Sequence, residues 1–353
     1  MRLVAADTET KLFGPGNMAP PLVCLQWVEP GRQACLANRW DAARIARAWF
    51  EDPDLITIWH NASYDLAVLA ALEPELLPLI FRALRENRIT DTMWRQKLAD
   101  IGRGCYRGFS KNGAWIPLQY DLGAVGRRHG VPVDKEDPWR LRYGELIDVP
   151  VQEWPPEALS YALKDPVATL AAYEGQRDRY DPALLVDEFS QTRKFFALHL
   201  CATWGLRTSL RGVMSLEAAT LAEIDRLKEW LIELGLVRPD GSRDTKAAEA
   251  RMARAWEELG LPPRKTKGGK LSLDSDACNS SGDPALEAYT EYSSAKKVLS
   301  NDVKWLKLGT VHPVHTHFDL AETGRTTSSS PSVQNPRRLP GVRECYVPRG
   351  FST

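Results

Sequence analysis

Leu55-Ile56-Thr57-Ile58-Trp59 is a β-branched, apolar run that gives way at once to Asn61-Ala62-Ser63-Tyr64-Asp65 and a helical pattern. A strand buried enough to be apolar on both faces, feeding straight into a helix, is the unit from which α/β layers are built. Working outward, Leu3-Val4-Ala5-Ala6 opens another short buried strand. Leu22–Val28 and residues 33–36 read as two more, turned by Pro30-Gly31. Pro155-Pro156 starts a helical pattern that runs to about Tyr173, and residues 178–182 read as a junction. Beyond it the pattern is mostly helical. Ser215 is placed to cap a helix in which Leu221, Ile224, Leu227, Leu231 and Leu234 recur every three or four residues, with Gly235 ending it. The chain is therefore expected to be α/β in its first half and mainly helical in its second.

Composition narrows the class. Apolar residues make up 43% and charged residues 26% of the 353, enough for ordinary cores, and no apolar run reaches the roughly 18 residues of a membrane span. An acidic pair lies within the first ten residues, unlike a secretory leader, so a cytoplasmic location is expected. The six cysteines contain no CxxC pair, which argues against a zinc ribbon or a disulfide framework. Net charge is zero, yet basic residues cluster. Arg264, Lys265, Lys267 and Lys270 fall within seven residues without an acid, and from Thr323 onward five arginines face one acid, Glu344. Local patches of this kind attract phosphate even in a neutral chain.

Three short patterns carry the chemistry. Asp7 and Glu9 lie two apart on a strand and share a face, with Thr8 on the other. Asn61 reads as a helix N-cap, placing Asp65 early in the following helix. Tyr161 and Asp165 lie four apart on a helix and also share a face. Four carboxylates brought together repel one another unless cations intervene. Magnesium and manganese favour carboxylate and phosphate oxygens, and two such ions roughly 3.5–4 Å apart clamp a displacement at phosphorus. Pro166 directly follows Asp165 and is expected to kink its helix. His312, His315 and His317 have poor spacing for a closed zinc site and read as edge or packing residues.

In this order and context the three patterns resemble the motifs of a DEDD-type 3′→5′ exonuclease of the tyrosine subclass, on a ribonuclease-H-like fold. Residues 140–145 and Glu153-Trp154-Pro155 lead into the third motif in the same way. The resemblance implies metal ligation of two divalent cations, Mg²⁺ or Mn²⁺, by Asp7, Glu9, Asp65 and Asp165. It also implies a water-positioning role for Tyr161 and substrate contacts by Thr8, Asn61 and Tyr64. Trp59 and Tyr64 are candidates for holding an unstacked terminal base. From position 267 onward the chain resembles the thumb and early palm of family A (Pol I-like) DNA polymerases. The resemblance is carried by residues 269–274, 282–286 and 292–297, and above all by Thr323-Gly324-Arg325 through Asn335. It implies DNA contacts by Lys265, Lys267, Lys270, Arg325, Gln334 and Asn335.

The organisation thereby implied is an exonuclease domain over 1–180, a mainly helical thumb over 181–305 and a palm segment over 306–353 that stops before the polymerase motifs. The implied activity is proofreading hydrolysis of 3′-terminal nucleotides during DNA replication, on primer–template and single-stranded 3′ ends, without polymerisation by this chain alone. The compact layout resembles phage-type enzymes, which would place the protein in a host cytoplasm. Two rivals stand beside this expectation. One is a non-catalytic DNA-binding half completed by a second chain, and the other is a stand-alone repair or RNA-processing exonuclease.

Overall fold

A computed structural model describes residues 1–14, 16–112, 114–131, 138–266, 268–337 and 339–349. By packing, the chain divides into two units, residues 1–205 with 315–334, and residues 206–314 with 335–353.

The first unit is built on a five-stranded mixed sheet. Its strands are β1 (Arg2–Thr10), β2 (Leu22–Val28), β3 (Cys35–Asn38), β4 (Leu55–Trp59) and β5 (Ile89–Asp91), in the order β3-β2-β1-β4-β5. β1 pairs antiparallel with β2 and parallel with β4, which makes it the central strand. Helices α1 (Arg39–Glu51), α2 (Ala62–Leu72) and α3 (Leu76–Arg85) cover one face, and α6 (Pro156–Arg179) covers the other. Between them in sequence lie α4 (Thr92–Gly102), the hairpin of β6 (Gly108–Lys111) and β7 (Ala114–Pro117), and α5 (Leu122–Arg128). Strand alternation decides which side chain meets which helix. Val4 and Ala6 enter the core with Ala42, Phe50 and Leu66, while Leu3 and Ala5 meet Leu170 and Tyr173 of α6.

The helix ends show why these elements begin where they do. Asn38 caps α1, accepting from the N–H of Trp40 at 3.1 Å and of Asp41 at 3.3 Å. At α2 the outcome differs from the sequence expectation. Asn61 occupies the cap position but is left-handed (φ 66°), and its side chain makes no capping bond. The buried Asp91 of β5 does the work, accepting from Asn61 N at 3.2 Å and Ala62 N at 2.7 Å while also capping its own helix through Met93 N and Trp94 N. Helix α6 runs unbroken through Pro166, which is buried, so packing offsets the lost backbone bond. Its far end is clamped to α4. Gln176 donates to the Thr92 carbonyl at 2.8 Å and accepts from Arg95 at 3.2 Å.

After α6 the chain makes a short turn and returns as α7 (Glu188–Trp204) against α2, α3 and β5. The break expected at 178–182 is thus a helix–helix turn, and by contact the first unit extends to Gly205. The β9 (His317–Leu320) and β10 (Thr326–Ser329) hairpin packs on α7, with Lys97 of α4 bonded to Asp319 at 2.6 Å.

The second unit is mainly helical. It holds α8 (Leu210–Glu233), α9 (Thr245–Glu258), α10 (Ser275–Ser280), α11 (Pro284–Lys297), α12 (Lys304–Val311) and a short ribbon of β8 (Arg207–Thr208) with β11 (Tyr346–Val347). Helix α8 begins at Ser209, whose side chain accepts from Gly212 N, not at the expected Ser215. Ile224, Leu227 and Leu231 are buried against Tyr289 and Tyr292, whereas Leu221 and Leu234 at the margins of the predicted stripe are exposed. The bidentate pair of Arg251 with Asp283, at 2.6 and 3.0 Å, ties α9 to the start of α11. No helix among the described residues is long and apolar enough to cross a membrane.

Candidate active site

The two faces of β1 carry two different sets of groups. On the α6 side, Asp7, Glu9 and Asp165 each present a carboxylate oxygen, all within 4.8 Å of one another. Among the described residues this is the one acidic, histidine or cysteine cluster with ligand-like spacing. Asp7 keeps one protein donor, Gln26 of β2, whose Nε2 lies 2.9 Å from its Oδ2. Burial pushes the Asp7 carboxyl well above the usual range, and the charges of Asp65, Asp165 and Glu9 push it further. Glu9 is raised in the same way, by burial and then by Asp165 and Asp65, with Arg140 alone pulling it down. Burial, then Asp165 and Glu9, raises the Tyr161 phenol far above its ordinary value, so it stays protonated and able to donate.

On the α2 side the polar groups that project from β1 are matched. Thr8 donates to Asp65 Oδ1 at 2.6 Å, and the Thr10 and Tyr64 hydroxyls lie 2.6 Å apart. Asp65 is therefore held beside the triad by Thr8 instead of sharing its tight spacing. Burial lifts its carboxyl to about 7, against the lowering effect of the Thr8 bond. A register shift in the β1–β2 pairing falls between Glu9 and Thr10, where the strand leaves the sheet.

Beside Tyr64 opens a cavity of about 440 Å³, walled by Phe13, Met93, Trp94, Phe195, His199 and Phe318 among others. Trp94 and Phe195 stack with ring centroids 3.7 Å apart. Four polar atoms of lining residues, Ser63 Oγ, Trp94 Nε1, His199 Nε2 and His315 Nε2, are buried and have no hydrogen-bond partner among the described residues. His315 Nδ1 lies 2.7 Å from the Ala202 carbonyl and donates to it, which leaves Nε2 aimed elsewhere. Burial lowers His199 to about 4, so it is neutral at pH 7. No lysine or arginine lines the space. It suits a neutral, planar group with both donors and acceptors.

Asn61 is exposed at the cavity mouth, while Trp59 is wholly buried with its indole N–H bonded to Thr57 at 3.0 Å. Trp59 is core and not a base-holding residue. Arg325 is exposed beside Gly324 in the β9–β10 turn, where Gly324 adopts φ +77°. Gln334 and Asn335 are exposed, and Gln334 N donates to Ser328 Oγ at 3.0 Å. In the second unit Lys265 and Lys270 project from an exposed loop closed by the Thr266 N to Lys270 O bond at 2.8 Å. Lys267 lies outside the described residues. Sequence reasoning missed Thr10, Gln26, Asp91 and the cavity. Only Thr10 had a local signal, since it shares a strand face with Thr8.

No protein-family model matches the sequence, and no curated protein matches it. Among solved structures it is similar to the POL domain of Pol1 from M. smegmatis in complex with DNA primer-template and dNTP. The TM-score is 0.59 and the identity 18%, over 97% of this chain and 53% of that one. The likeness is one of fold, and the chain spans about half the length of that neighbour.

Proposed function

We propose that this chain is the 3′→5′ exonuclease portion of a family A DNA polymerase, followed by a thumb (181–305) and the first palm segment (306–353), and that it removes 3′-terminal nucleotides from DNA. The observation that carries the reading is the Asp7, Glu9 and Asp165 triad. Three half-buried carboxylates stand within 4.8 Å, with those of Asp7 and Glu9 raised by burial and then by the neighbouring charges. Such a donor set fits hard divalent cations and little else. Asp7, Glu9 and Asp165, with Asp65 alongside, would hold them. The bound ions supply acidity to a water and charge stabilisation at phosphorus.

The chain's own residues do the rest. Thr8 fixes the Asp65 carboxylate, and the neutral Tyr161 phenol orients the attacking water by hydrogen bonding. The unstacked terminal base enters the cavity beside Tyr64, which Ser63, Trp94, His199 and His315 help to line. Water oxygen bonds to phosphorus and the bond to the 3′ oxygen breaks. The products are a nucleoside 5′-monophosphate and a strand one nucleotide shorter, whose 3′ oxygen takes up a proton to end as a hydroxyl. Lys265, Lys267, Lys270, Arg325, Gln334 and Asn335 are the proposed DNA contacts.

The test is a 5′-labelled primer–template with a mismatched 3′ end, incubated with the chain and Mg²⁺. Stepwise shortening that is lost with EDTA and in Asp7→Ala supports the reading. Binding without cleavage overturns it in favour of a DNA-binding half that needs a partner chain.

A further inference from the structure

The β6–β7 hairpin has no role in the chemistry above, and its composition is unusual for a surface ribbon. Of its eight strand residues only Gly108 is buried. Trp115 is 62% exposed, Phe109 41% and Ile116 37%. The register pairs Phe109 with Ile116 on one face and Ser110 with Trp115 on the other, so apolar rings stand on both sides of a two-stranded ribbon. A ribbon that buries neither face gains little from its own folding, and clustered exposed rings mark contact surfaces. Its base is nonetheless fixed. Tyr120 donates to the Tyr106 carbonyl at 2.6 Å, and the Tyr106 hydroxyl bonds the Leu320 carbonyl at the end of β9.

Charge identifies the occupant. Residues 101–118 contain Arg103, Arg107 and Lys111 and no acid. The Arg107 side chain is 74% exposed, with its Nε 3.8 Å from a Glu322 carboxylate oxygen. Glu322 lies in the same β9–β10 turn as Arg325, one of the DNA contacts proposed above, so this pair links the ribbon to that turn. Exposed aromatic rings interleaved with cations form a platform on which successive bases stack while phosphates are neutralised. We infer that the β6–β7 hairpin is a single-stranded DNA platform, with Trp115 stacking a base on one face, Phe109 one on the other, and Arg107 and Lys111 holding phosphates. This rests on the nucleic-acid reading of the chain but not on cleavage.

The experiment is fluorescence anisotropy in EDTA with the full chain. One labelled probe is a thymidine 16-mer and the other an abasic strand of equal length. Trp115→Ala is expected to weaken the thymidine strand about tenfold and to leave the abasic strand within about twofold. Arg107→Ala with Lys111→Ala is expected to weaken both strands alike and flatten the salt dependence. Thymidine affinity unchanged within twofold in both Trp115→Ala and the Phe109→Ala/Trp115→Ala pair overturns the inference. So does a dimer, seen by sedimentation, that Trp115→Ala dissociates. Loss of cleavage with Mg²⁺ while thymidine binding in EDTA persists counts against the nuclease reading alone.

Discussion

The two faces of β1 differ by one residue in register and by everything in electrostatics. Toward α6 stand Asp7 and Glu9, with carboxylate oxygens within 4.8 Å of one from Asp165, and Gln26 donates to Asp7. Toward α2 stand Thr8 and Thr10, each hydroxyl paired with Asp65 or Tyr64. Carboxylates crowded this closely in a half-buried site are costly, whereas a single hydrogen-bonded one is much less so. One face is built to accept cations, and the other is built to hold its groups still. Alternation along a single strand suffices to separate the two tasks.

The sharpest way to break this comparison is to disable the acidic face. Asp7→Ala is expected to lower single-turnover cleavage by roughly 10³-fold or more, since several kcal/mol of charge stabilisation go with it. It should also abolish the rise in melting temperature on adding Mn²⁺. If cleavage survives, the triad is not the active centre. Next in size is the support beneath the α2 face. Asp91→Ala removes a buried carboxylate that bonds four backbone N–H groups, and urea unfolding should show a loss of about 3 kcal/mol. An unchanged midpoint would mean that those N–H groups find other partners.

Thr8→Val keeps the shape and deletes the hydroxyl that holds Asp65. An outer-shell loss of this kind typically costs about 10–100-fold, so the rate should fall less than in Asp7→Ala, with substrate binding retained. A loss equal to that of Asp7→Ala would erase the distinction between the faces. The smallest effect is on pH. Asp65 is held near 7 in the fold, above the ordinary value of 3.8. Without metal its contribution therefore favours the fold at low pH and fades as pH rises through about 7. Metal binding needs the ionised form, so the metal-induced rise in melting temperature should grow from pH 6 to pH 8. A constant rise across that range would remove Asp65 and its neighbours from the ligand set.

Much of this site was legible because its signals are short-range. A period of two fixed the shared face of Asp7 and Glu9, and a spacing of four fixed that of Tyr161 and Asp165. Strands β2 and β4 were readable to the residue from their apolar runs. What stayed hidden depends on partners far along the chain. Asp91 caps a helix 30 residues upstream, so Asn61 looked like the cap that it is not. Likewise Gln26 became recognisable only once β2 lay beside β1. The β6–β7 ribbon was invisible for another reason. Its strands are four residues long and face no core, so they carry no burial pattern to read.

The Asp91 carboxylate also has a kinetic meaning. It closes the N-termini of α2 and α4 together, and α2 carries Tyr64 and Asp65 while α4 carries Trp94. Neither helix end can fray without releasing the other. The amides of Asn61, Ala62, Met93 and Trp94 should therefore exchange with solvent deuterium as one cooperative unit, tying the wall of the cavity to the carboxylate beside it.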